Sequence, residues 1–136
     1  MSVVWNPSFS VHNPVLDSQH QSIFALAQRL EDMCQEVDPQ RTRLGFAIMD
    51  LAEFCRQHLR DEEDFIRSIG YPRVEEHIAS HREFEEQVRH IQEAFRSAEP
   101  SQYQTIVREM TSLVSDWLSG HILSVDQDYV HFQAKA

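Results

Sequence analysis

Eight histidines occur in these 136 residues, and five of them stand with one glutamate where an apolar core is expected. His77 and His81 are four apart, and so are His58 and Glu62. On a helix both members of such a pair face the same way. His20 and His121 each interrupt a run of apolar positions. Imidazole and carboxylate together are ligands for iron, zinc, copper or manganese. An i, i+4 histidine pair taken alone is ordinarily a solvated surface feature; the company it keeps decides otherwise here. Burying an unpaired polar group costs about 1–3 kcal/mol, and a charge costs more. A core holding six such groups must pair them with one another or bind something. Five histidines plus carboxylates exceed the four ligands of a single zinc. A two-metal site fits the count, bridged by Glu62 and a second acid near the C-terminus. Periodicity nominates Asp128, seven residues after His121. Asp126, five residues on, stands about 140° around an ideal helix and requires a π-bulge, a distortion found at functional sites. Spacing leaves the two open.

These side chains need elements that bring them together. Asp38-Pro39, Gly70-Tyr71-Pro72 and Glu99-Pro100-Ser101 divide the chain into four long segments, about 17–37, 39–69, 72–98 and 101–130. Each carries a stripe stepping by threes and fours. The first runs through Leu16, His20, Ile23, Ala27, Leu30, Cys34 and Val37. The second takes Leu44, Ile48, Leu51, Cys55, His58, Glu62, Phe65 and Ile69. The third takes Val74, His77, His81, Phe84, Val88, Ile91 and Phe95. The fourth takes Tyr103, Ile106, Met110, Leu113, Trp117 and His121. Asp38 suits an N-cap with Pro39 following it. Gly70 suits a helix end, and Pro72 can start the next helix. Short connections make neighbours antiparallel. The expected fold is all-α: a single domain over 1–136, an up-down-up-down antiparallel four-helix bundle with an N-terminal arm over 1–16. In that topology His20, His58, Glu62, His77, His81 and His121 all fall at one end, while the other end of every stripe stays apolar.

Composition narrows the partners. Lys and Arg total 12 against 22 Asp and Glu, a net charge of −10. Such a surface repels phosphate backbones and anionic headgroups, so no nucleic acid and no membrane surface is expected. The same charge, without an exposed apolar stripe, favours a monomer. No apolar run reaches transmembrane length. The start, MSVVWNPSFS, has neither the basic nor the apolar region of a signal peptide, so a cytoplasmic location is expected. Cys34 and Cys55 form no C-x-x-C pair and read as reduced thiols filling a core. His12, His90 and His131 read as surface residues.

The residues assembled so far resemble the hemerythrin family, bacterial hemerythrins in particular. The matching pieces are Asp17-Ser18-Gln19-His20, His58-x-x-x-Glu62-Glu63, Gly70-Tyr71-Pro72, His77-x-x-x-His81 and Trp117-Leu118-x-x-His121-Ile122-x-x-x-Asp126-x-x-Tyr129, with Trp5 in the arm. The resemblance spans nearly the whole chain. It implies two non-haem iron ions, one held by His77, His81 and His121 and the other by His20 and His58. Glu62 and Asp126 would bridge them, with a solvent-derived oxo or hydroxo group as a third bridge. The family pattern thus prefers Asp126 to Asp128 and implies a helix distortion after His121. It implies reversible dioxygen binding at the iron with fewer protein nitrogens, for oxygen transport or storage, with no substrate transformed. Ile23, Leu59, Trp117, Leu118 and Ile122, each beside or one turn from a ligand, are the expected lining of a dry oxygen pocket, and each is also an ordinary core position. Leu59 stands where the family commonly has Phe, and Val11-His12-Asn13-Pro14 is an unusual lead into the first helix.

Other classes fit less well. Ferritin-like oxidases use Glu-x-x-His pairs, and no Glu precedes a His by three residues here. H-E-x-x-H is absent, which argues against a zinc protease. No acid or base is positioned beyond the ligands, so no enzyme is expected. The alternatives are an oxygen-sensing or iron-handling module and a di-iron peroxidase or nitric-oxide scavenger.

Overall fold

The computed structural model describes residues 4–36 and 40–135. Four long rods form the bundle: α1 (Pro14–Cys34), α2 (Arg41–Ser68), α3 (Val74–Arg96) and α4 (Tyr103–His121). The last rod continues through a π-helical turn, Ile122–Asp126, into α5 (Gln127–Ala134). There is no strand among the described residues. α1 packs on α2 and α4, and α3 packs on the same two, closing a ring of four. None of these helices is long and apolar enough to cross a membrane.

Local chemistry sets the helix ends. α1 begins at Pro14, three residues earlier than the expected 17. The Asn13 side chain accepts from the backbone N–H groups of Val15 (3.0 Å) and Leu16 (3.1 Å), and Pro14 occupies the first helical position. Asn-Pro is thus the start signal. Asp17 instead ties down the arm, accepting from Ser10 Oγ (2.7 Å) and the Val11 N–H (2.8 Å). Phe9 and Val11 bury themselves against the bundle, with Phe9 beside Phe24. The described arm is therefore 4–13. Val37, Asp38 and Pro39, expected at the first connection, lie outside the described residues.

α2 stops at a glycine. Gly70 has φ +70°, its N–H donates to Arg67 O, and the Tyr71 N–H donates to Ile66 O. That paired pattern closes a helix with a left-handed residue. Pro72 does not open the next helix; α3 starts two residues later, at Val74. A 3-10 turn over Pro100–Gln102 precedes α4.

The core follows the stripes with corrections, Ile69, Val74 and Ile91 being only partly buried. On α4 the central positions are Val107, Val114 and Leu118, while Leu113 and Trp117 are only partly buried at its flank. On α2 burial passes from Glu62 to Ile66 rather than Phe65. Cys34 and Cys55 are buried free thiols, and burial pushes Cys55 up to about 12.

Candidate metal centre

All four rods contribute to one buried cluster. α1 supplies His20, α2 supplies His58 and Glu62, and α3 supplies His77 and His81. α4 ends on His121, and the π turn ends on Asp126. None of the seven is more than 6% exposed. The ligand atoms form two groups, Glu62–His77–His81–His121 and His20–His58–Glu62, each within 4.8 Å. Glu62 belongs to both.

The two carboxylates divide themselves between the groups. Glu62 Oε1 faces Nε2 of His77 (2.7 Å), His81 (3.1 Å) and His121 (3.8 Å), while Oε2 faces Nε2 of His20 (4.0 Å) and His58 (3.9 Å). Asp126 Oδ1 faces Nε2 of His77 (3.2 Å) and His121 (3.0 Å), and Oδ2 faces His20 Nε2 (3.9 Å). Asp126 reaches the cluster because the π turn takes up the odd fifth residue. Asp128, favoured by straight-helix periodicity, points away and bonds to Tyr71 and Arg73 at the surface.

The donor set fits a metal better than a hydrogen-bond network. Nε2 of His121 lies 3.2 Å from Nε2 of both His77 and His81. Nitrogens so placed cannot all carry protons toward one another. Both oxygens of Asp126 and both nitrogens of His20 are buried without a hydrogen-bond partner; their close contacts lack hydrogen-bond geometry. Ligand atoms each about 2.1 Å from one ion lie about 3 Å apart at a right angle and about 4 Å apart across it. Apart from the 2.7 Å contact of His77 with Glu62, the distances above fall in that range.

Charge follows the geometry. Burial pulls His77 and His121 down, but contacts with Asp126 and Glu62 outweigh it and hold both at about 9. Burial and the neighbouring His20 push His58 down to about 4. His20 is also lowered, chiefly by burial. Burial opposes ionisation of Glu62, yet bonds from His121, His77 and His81 hold it well below the usual carboxylate range.

Residues behind the cluster fix its rings, and the sequence reading gave them no role. Glu63 Oε2 accepts from His81 Nδ1 (2.8 Å) and also pairs with Arg82. Gln19 Oε1 accepts from His58 Nδ1 (2.7 Å), and its amide N–H donates to Asp61 (2.8 Å). With the outer nitrogen as donor, both histidines can turn an unprotonated Nε2 inward once a metal is bound. Tyr129 donates to Glu62 Oε2 at 3.3 Å; burial and that carboxylate raise its pKa. The available signal was the family motif, in which Gln19, Glu63 and Tyr129 already stand among the matching pieces.

Of the expected pocket residues, Ile23, Leu59, Leu118 and Ile122 are buried. Trp117 is half-buried and stacks on His121 (4.2 Å, 16°) and Phe84 (4.1 Å, 17°). His12, His90 and His131 are exposed.

Comparison with known proteins agrees with this geometry. The family model "Hemerythrin HHE cation binding domain" matches residues 12–132. A bacteriohemerythrin of Clostridium acetobutylicum is 28% identical over 131 residues, covering 93% of this chain and 98% of that protein. One from Stenotrophomonas maltophilia is 28% identical, covering 98% of this chain and 82% of that protein. One from Campylobacter jejuni is 29% identical, covering 90% and 89% respectively.

Proposed function

The chain belongs to the hemerythrin family, and from that premise we propose that it binds dioxygen reversibly at a non-haem di-iron centre, for oxygen transport or storage. The observation that carries the reading is the division of Glu62 and Asp126 between two groups of histidines. One bridging carboxylate can arise by chance in a polar cluster; two with the same division match a pair of ions. In this reading His77, His81 and His121 hold one iron and His20 and His58 the other. His20 and His58 would supply one fewer protein nitrogen than the other three, which would leave a position for dioxygen on that side. When bound in the ferrous state, the iron pair supplies the two electrons that dioxygen takes up on binding and returns on release.

The chain's own residues do the rest. Ile23, Leu59, Leu118 and Ile122 keep water and stray protons from the site, which protects a reversible state from irreversible oxidation. Trp117 holds the His121 ring against rotation by stacking on it. Tyr129 steadies Glu62. The gathered titratable side chains serve as ligands or as partners of ligands, which favours binding over turnover. The net charge of −10 supports a monomer, and two buried free thiols support a reducing, cytoplasmic setting.

The test is the visible spectrum of ferrous-reconstituted protein, cycled between air and argon. Colour that appears in air and vanishes under argon over several cycles supports carriage. Colour that collapses at first exposure to air removes the carrier reading and leaves oxygen sensing, iron handling or di-iron oxidation chemistry.

A further inference from the structure

The two halves of the cluster have unequal backing. His81 donates its outer N–H directly to a carboxylate, Glu63, at 2.8 Å. Two bonds from Arg82, at 2.7 and 3.0 Å, pin the charge on that carboxylate. His58 donates instead to a neutral amide, Gln19, at 2.7 Å. The carboxylate on that side, Asp61, stands one group further out, accepting from Gln19 (2.8 Å) and from Gln57 (2.9 Å). His20 has no partner on either nitrogen, and in the other half His77 has none on its outer Nδ1, so the contrast lies in the groups behind His81 and His58.

A carboxylate directly behind an imidazole makes the ring a stronger donor; an amide carries no charge with which to do so. The amide is also the group this position demands. It must accept from His58 and donate to Asp61 in the same plane, and a glutamate there would face Asp61 with no proton between them.

We propose that Glu63 and Gln19 are positioning residues that grade the two halves, so that metal fills the His77–His81–His121 half first and the His20–His58 half second and more weakly. This rests on the reading of these histidines as metal ligands. It assigns the more exchangeable metal to the α1/α2 side, the half that the dioxygen reading leaves open.

The test is an anaerobic titration of the metal-free, full-length protein with cobalt(II), followed by its visible absorption and by equilibrium dialysis. The wild type is expected to bind two cobalt ions in resolved steps at least tenfold apart. The double variant Gln19→Glu/Asp61→Asn exchanges amide and carboxylate at constant charge and keeps both hydrogen bonds. It is expected to tighten the second step about tenfold and leave the first unchanged. Glu63→Gln is expected to weaken the first step about tenfold. Should that buried substitution prevent folding, the double variant, at two half-buried positions, decides alone. A structural role would not move the solvent-exchangeable His58 Nδ1–H resonance of the cobalt form; the double variant is expected to shift it. Two cobalt ions with equal constants, or a double variant with an unchanged gap, overturns the proposal and leaves the ligand reading standing. Fewer than two cobalt ions overturns both.

Discussion

Asp126 Oδ1 lies 3.0 Å from His121 Nε2 although the two are five positions apart on one rod. A regular α-helix would put their side chains about 140° apart. The chain closes that angle with a π turn from Ile122 to Asp126 and returns to α-helix at once. A turn of this kind weakens regular hydrogen bonding and is found mostly at functional sites.

The first prediction separates the two aspartates. Asp126→Ala removes a group shared by both halves and is expected to leave at most one iron per chain. Asp128→Ala loses only a surface pair with Arg73 and a bond from Tyr71 and is expected to retain both irons. Iron analysis after anaerobic reconstitution checks both.

The second concerns pH. A folded-state pKa of about 9 for His77 and His121, raised from an ordinary value near 6.5, gives the metal-free protein stability that is complete below pH 6.5 and lost as pH rises through 9. His58, lowered to about 4, works in the opposite direction: the unfolded chain takes up its proton near 6.5 and the folded chain does not, so stability falls as pH drops from 6.5 toward 4. Metal-free protein is therefore expected to be most stable near pH 6.5, as urea midpoints across pH 4–10 would show. Metal must displace the His77 and His121 protons. Ferrous iron added at pH 7 is expected to release protons from this pair, fewer as pH passes 9.

Trp117 supplies a third. It is stacked between His121 and Phe84 at the flank of α4. Trp117→Ala is expected to cost about 2–3 kcal/mol, below the range for a fully buried aromatic, and to leave the His121 ring unsupported. Trp117→Phe keeps a stacked ring and is expected to cost about half as much. Denaturant unfolding of both variants gives the comparison.

The dry wall supplies a fourth. Ile122 is fully buried beside His121. Ile122→Thr removes one methyl group and introduces a hydroxyl that invites water, and Ile122→Val serves as the apolar control. Iron content is expected to stay at the wild-type value while the oxygenated form decays about tenfold faster, read as the half-life of its visible band in air.

The fold was legible because its signals are redundant. Stripes at threes and fours marked the four rods, and Gly70 marked the end of α2. His20, His58, Glu62, His77, His81 and His121 stood out because helical spacing carries a polar residue into a core as faithfully as an apolar one. Asp126 was illegible to spacing alone, since periodicity assumes the regular helix that the π turn abandons; only the family pattern pointed to it. The helix start at Pro14 was missed because Asn13-Pro14 was read as a lead into the helix, whereas the Asn13 side chain caps it and Asp17 serves the arm. Gln19 and Glu63 stood in the family motif beside His20 and Glu62 but were given no role, because they lie one residue off the stripe. Their partners, Asp61 and Arg82, come from other helices, and only tertiary contact brings them together.

The most direct measurement is oxygen stoichiometry. Ferrous-reconstituted protein is titrated with dissolved oxygen at an electrode, then deoxygenated under argon, with iron determined on the same sample. The proposed centre predicts one dioxygen taken up per two irons and the same amount recovered on release. Uptake without recovery, or a ratio other than one to two, would contradict reversible binding at a paired site.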